Sequence, residues 1–343
     1  MILNDFDYLL DLPGEEREQC WLQERLETLS VREGIVLAAA AQSDPPGDMA
    51  QAINCLMLLD YYPVRINAGS YEALGMDYLR RDTSMPESAL PYVDLAQTEK
   101  YYENMAPGLF VGNCYVEYPN PDLVPCYCGQ GMPLPTDDDW SVRLKVASPA
   151  VPEGVWMRFP GPFLDDFEGT VEEALALQEL RVKRWDECAL LDARCILPEV
   201  EDLMEQYDNV ADLIYDGIEL GYVLSQKGQG MPCFMERYAA ALKLEDCHSL
   251  KLALDISQNL RCYDWASCTS LEDSAKELLL KKGVSETLIR ASGIDLAGYQ
   301  AHLLEEKGYT LTPDEGVYIR RNDEEFHYCY STPTPEQSGM TMQ

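Results

Sequence analysis

Residues 197 to 220 read LPEVEDLMEQYDNVADLIYDGIEL, and no other stretch limits the fold so narrowly. Its eight carboxylates are Glu199, Glu201, Asp202, Glu205, Asp208, Asp212, Asp216 and Glu219, with no Lys or Arg among them; the flanking cations are Arg194 and Lys227. Like charges this close repel, so they are tolerated on the solvent side of an element whose other side is buried. The spacing supplies such an element. Leu203, Tyr207, Val210 and Ile214 step by 4, 3 and 4 residues, which predicts a helix with one apolar face. Glu201, Glu205, Asp208, Asp212 and Asp216 step by 4, 3, 4 and 4 on another face. At about 1.5 Å of rise per residue, a carboxylate recurs roughly every 5 to 6 Å. Elsewhere the chain balances its helices: SLEDSAKELLLKKG (270 to 283) offers Glu272 to Lys276 and Glu277 to Lys281 at i,i+4.

The imbalance is global. Sixty acidic against 26 basic residues give a net charge of -34 over 343 residues, while hydrophobic residues make up an ordinary 46%. With 21 Tyr and 5 Trp the chain can build a core, so disorder is not implied. Such a charge opposes compaction and argues against direct binding to nucleic acid or an anionic membrane, both of which need positive surface. A basic partner is the inference. The acidic start MILNDFDYLLDLPGEE lacks the basic n-region of a signal peptide, and no apolar run has the roughly 18 residues of a span. Twelve scattered cysteines then read as thiols in a reducing cytoplasm.

Five of 21 prolines fall between residues 119 and 139, which reads as a linker. The acidic excess divides evenly there, 24 acids to 7 bases before Trp140 and 36 to 19 after it. Beyond it, Trp140 to Ala147 alternates as a half-buried strand, and 154 to 159 and 188 to 196 are further strands. Thr170 and Glu173 form a capping box for the helix VEEALALQEL. An internal repeat aligns the segment from Tyr61 with that from Cys262: Ser70, Glu72 and Leu79 recur as Ser270, Glu272 and Leu279, and DLA at Asp94 recurs at Asp295. Each copy leads into a strand region, 109 to 118 and 316 to 321. The fold class expected is α+β, an elongated assembly of small antiparallel sheets with helices, an acidic helical middle module and two related units. The divisions are 1–118, the linker 119–139, 140–326 and a mobile tail 327–343.

Catalytic chemistry finds no assembled site. His248, His302 and His327 have no second ligand at metal spacing, and Cys126 and Cys128 form a C-x-C without a second pair. GQGMP at Gly129 and Gly228 lacks the lysine and hydroxyl of a phosphate loop. Asp165-Asp166 and Asp137-Asp138-Asp139 lack an EF-hand pattern. The expectation is a non-enzyme without cofactor or metal. Its charge matches that of roughly 58 Å of duplex DNA, at about one charge per 1.7 Å.

From Trp140 to about Phe326 the chain resembles the ArdA family of antirestriction proteins. The resemblance is carried by the EEALALQEL helix, the LLDARC strand, the acidic EQYDNVADLIYDGIEL and above all the closing pattern SLEDSAKELL to IDLAGYQAHLLEEKGYTLTPDEGVYIRR. The amino-terminal half is similar only from Ser70 to Tyr118, so it reads as a reduced unit. The resemblance implies a DNA mimic carried by mobile elements that binds type I restriction-modification enzymes in their DNA groove. Glu199, Glu201, Asp202, Glu205, Asp208, Asp212, Asp216 and Glu219 would be its partner-binding carboxylates. The apparent duplication leaves homodimer and intrachain pseudo-dimer both open. Two alternatives remain: a DNA mimic aimed at another defence system, such as a CRISPR effector, and an acidic scaffold for a basic protein.

Overall fold

The computed structural model describes residues 6–119, 125–129, 131–162, 169–227 and 233–332. Among them the chain is α+β, with thirteen α-helices and three small antiparallel sheets of three strands. It divides into two compact units, residues 1–194 with 209–211 and residues 195–208 with 212–343.

In the first unit α1 (Glu16–Glu27), α2 (Val31–Ser43) and α3 (Met49–Met57) gather around Leu9, Leu22, Val36, Leu37, Ile53 and Leu59. Helix α2 is apolar almost all round, and a helix of that kind is stable only when covered on every side. Ser30 and Glu33 close a capping box at its start. Next come β1 (Val64–Ile66), α4 (Tyr71–Arg81), α5 (Leu95–Met105), β2 (Gly108–Val111) and β3 (Cys114–Glu117), with sheet order β1-β3-β2. The third element group is β4 (Val142–Ser148), β5 (Val151–Phe159), α6 (Val171–Leu180) and β6 (Ala189–Cys195), in order β5-β4-β6. The capping box of Thr170 and Glu173 opens α6 as its sequence predicts.

The Pro-rich stretch does not divide the chain. Val171 and Leu175 of α6 share a cluster with Ile66 and Cys114, so elements on its two sides have one core. Tyr127 within the stretch is 2% exposed, its hydroxyl donates to Glu18 (2.6 Å), and Trp21 donates to the Pro135 carbonyl (3.2 Å). The described residues of this stretch thus pack into the first unit, where a free linker was expected. Strand β4 is covered on both faces and not one, because Arg143 on its polar side is itself buried in an ionic network.

That network fixes the unit's centre. Arg25 pairs with Glu33, Arg158 with Asp60 (2.8 Å) and Asp137 (3.1 Å), Arg32 with Asp60 (3.1 Å), and Arg143 with Asp137. All four arginines are buried. Glu33 is held down to about 2: burial opposes its charge, but Arg25 and Arg158 outweigh that. Glu172, also buried, is pushed up to about 7 by burial and by the charge of Glu33, against hydrogen bonds that include the Arg158 amide at 3.0 Å.

The second unit contains α7 (Leu203–Gln206), most of α8 (Val210–Tyr222) with one π-turn after it (Val223–Lys227), α9 (Phe234–Leu244) and α10 (Leu250–Gln258). A module of β7 (Tyr263–Ser267), α11 (Leu271–Lys281), α12 (Glu286–Ser292), α13 (Leu296–Glu306), β8 (Thr310–Thr312) and β9 (Val317–Arg321) follows, in order β7-β9-β8. This is the topology of β1 to β3 again: strand, helices, then a hairpin whose second strand lies in the middle. Helices α4 and α11 align at an offset of 200 residues, Asp94 and Asp295 both cap the last helix, and the middle strands bury Tyr115 and Tyr318 at one register position. The repeat seen as thin identity is therefore a repeat of topology. Of the expected pairs on α11, Glu277–Lys281 forms (2.6 Å), whereas Lys276 reaches Glu286 (2.6 Å) instead of Glu272.

The tail expected to be mobile is pinned from 327 to 331. The buried Asp255 carboxylate accepts from the amides of Cys329 (2.6 Å), Tyr330 (3.0 Å) and Ser331 (2.8 Å) and from the Ser331 hydroxyl (2.6 Å). Asn259 exchanges two further bonds with the His327 backbone. Tail residues 333–343, Asp165-Asp166 and the GQGMP copy at Gly228 lie outside the described residues.

Candidate acidic interaction site

The acidic segment is not one helix. Asp202 takes the left-handed conformation (φ 52°), α7 lasts four residues, and Tyr207 is extended (φ -128°, ψ 127°) before α8 begins. Gln206 holds the break open. Its amide donates to the carbonyls of Glu201 (2.5 Å) and His248 (2.8 Å), and its Oε1 accepts from Leu250 N at the start of α10 (3.1 Å). The predicted stripe at 4, 3, 4 and 4 is thereby interrupted between Glu205 and Asp212. The apolar face holds better: Leu203, Val210 and Ile214 are buried, and Tyr207 is half-buried.

Five of the eight carboxylates are exposed: Glu201, Asp202, Glu205, Asp208 and Asp212. Among the described residues no Lys or Arg forms an ion pair with the side chains of Glu201, Asp202, Glu205 or Asp208. Asp216 does not join the exposed set that its spacing predicts. It is 5% exposed and accepts from the Tyr207 hydroxyl at 2.5 Å. Burial raises its pKa, while that bond and Lys251, whose ammonium lies 5.1 Å from the Tyr207 ring centre, work the other way. Asp216 is a packing residue that ties α8 to the break. Glu199 and Glu219 are half-buried: the Glu199 carbonyl lies 3.2 Å from His248 Nδ1, and Glu219 accepts from Tyr330 at 3.4 Å. They flank the exposed set.

Sequence reasoning passed over the aromatic residues of this segment. Tyr215 and Tyr222 on α8 are each 60% exposed. The signal was present, since DLIY (212 to 215) and ELGY (219 to 222) set a carboxylate three residues before a tyrosine, twice, seven residues apart.

Elsewhere His248 and His302 sit beside Asp246 (3.2 Å) and Glu306 (3.4 Å) as exposed pairs. Among the described residues no group of three or more His, Cys, Asp or Glu is placed to hold a metal ion, and no helix is long and apolar enough to cross a membrane. What the segment offers chemically is a cation-attracting surface with aromatic rings beside it. Comparison with known proteins finds no matching family, curated relative or solved structure.

Proposed function

We propose that this protein is a non-enzymatic DNA mimic of the ArdA kind, which occupies the basic DNA groove of a type I restriction-modification enzyme and so protects mobile-element DNA in the cytoplasm. The observation that carries the reading is a net charge of -34 on a folded α+β chain whose exposed Glu201, Asp202, Glu205 and Asp208 have no ion-pair partner among the described residues. A basic groove bound to such a surface releases its own counter-anions, so the complex weakens with salt as protein–DNA complexes do. The topological repeat supports two related units in one chain, whether the active species is a homodimer or a pseudo-dimer.

The test is a competition titration against a type I methyltransferase core pre-bound to labelled DNA, at two salt concentrations. Near-stoichiometric displacement that weakens at the higher salt is expected. A stable complex with the core that leaves the DNA in place would instead support an acidic scaffold. Absence of any interaction would remove this target.

A further inference from the structure

The outward face of α8 carries more than charge. Asp212 and Tyr215, and again Glu219 and Tyr222, are i,i+3 neighbours, and the two pairs lie seven residues apart, roughly 10 Å along the axis at about 1.5 Å per residue. Both rings are exposed, Asp212 is exposed, and Glu219 is half-buried beside Tyr330. A second face of the same helix buries Leu213, Ile214 and Leu220, so the rings are held on a packed element and stay outside the core.

We propose that this face is an arginine-reading ridge, with each carboxylate–tyrosine pair receiving one guanidinium from a basic protein partner. This rests on the proposed function and names the partner chemistry of that surface. A carboxylate offers the guanidinium fork two acceptors, and an adjacent ring offers a face on which its plane stacks; an ammonium uses the charge but not the plane. Other occupants fit less well. A second copy of this chain carries the same net charge of -34 and so does not neutralise this face. Nucleic acid fails for the same reason, and an apolar segment would desolvate the carboxylates without pairing them. Tyrosine and arginine are also, with tryptophan, the residues enriched where interfaces concentrate their binding energy.

The experiment uses the full chain with labelled tyrosine rings, followed by NMR during titration with tetra-arginine or tetra-lysine. The Tyr215 and Tyr222 signals should shift with the arginine peptide and saturate at about fivefold lower concentration than with the lysine peptide. The double variant Y215S/Y222S should displace DNA from the methyltransferase core about fivefold less well with unchanged circular dichroism, and Y215F/Y222F should match the parent. Rings that ignore arginine, or respond equally to lysine, overturn the ridge even if DNA displacement persists, which leaves the mimic standing. Arginine-dependent shifts without DNA displacement support the ridge and remove the restriction enzyme as its target.

Discussion

Replacing Glu172 by Gln should stabilise the first unit at pH 8 and leave it nearly unchanged at pH 5. Glu172 is 3% exposed, and burial together with the charge of Glu33 lifts its pKa from 4.5 to about 7. A carboxyl raised on folding contributes its stability while protonated: fully below the unfolded value of 4.5, lost as pH climbs through about 7. The interval from 4.5 to about 7, at about 1.4 kcal/mol per pH unit, amounts to about 3 kcal/mol of penalty at pH 8. Glutamine keeps an oxygen for the Arg158 amide and never ionises, so E172Q should recover most of that, roughly 6 to 10 °C in Tm for a unit of this size. Glu33 titrates in another window. Its pKa is depressed to about 2, so its contribution is present above 4.5 and lost as pH falls through about 2. Glu33 therefore adds nothing to the slope between pH 5 and 8, which E172Q should flatten. Urea melts at pH 5, 6, 7 and 8 can be followed by tryptophan fluorescence, since Trp21, Trp140, Trp156 and Trp185 lie in the first unit and only Trp265 in the second. An equal gain at pH 5 and pH 8, or none at either, refutes the assigned burial cost.

Three further outcomes are expected. The variant E201Q/E205Q/D208N/D212N should fold normally yet compete with DNA roughly ten- to a hundredfold less well, as exposed ion pairs are worth about 0.2 to 1 kcal/mol each; unchanged competition removes this segment from the interface. D255A should free the strap at 329 to 331 and cost about 3 kcal/mol, read as faster amide hydrogen exchange at Cys329, Tyr330 and Ser331; protected amides would show that the strap is held by something else. In G75A the new methyl would meet the Leu95 carbonyl oxygen at 2.7 Å, so a loss of about 1 to 3 kcal/mol is expected in thermal melts, whereas the matching position in the later module already carries Ala275, fully buried.

What was legible in the chain was local. The Thr170–Glu173 box, the strands around it and the apolar face of the acidic segment all rest on contacts within a few residues, and all are found. What was misjudged depends on partners distant in sequence. Periodicity could not show that Gln206 would bridge to His248 and Leu250 and so stop the helix, nor that Tyr207 would bend back to bury Asp216. The tail looked mobile because its anchor, Asp255, lies more than 70 residues upstream and binds backbone amides, which carry no compositional mark. The Pro-rich stretch looked like a linker because its place in the unit rests on a few scattered residues, Tyr127 in the core and Asp137 among the buried arginines. Charge misled in a related way, as the arginines at 25, 32, 143 and 158 are spent on the interior and leave the surface to the acids.

The repeated module also says what its frame does and does not demand. Two residues beyond the shared middle-strand tyrosine stands Glu117 in one copy and Arg320 in the other. The ion pair joining first and middle strands accordingly runs from Arg65 to Glu117 (2.9 Å) in the first and from Asp264 to Arg320 (2.8 Å) in the second. The charge at this middle-strand position changes sign while strand order and the 11-residue lengths of the first and last helices of each module persist. A frame that accepts either sign at this position can have its surface charge rewritten residue by residue without a change of fold.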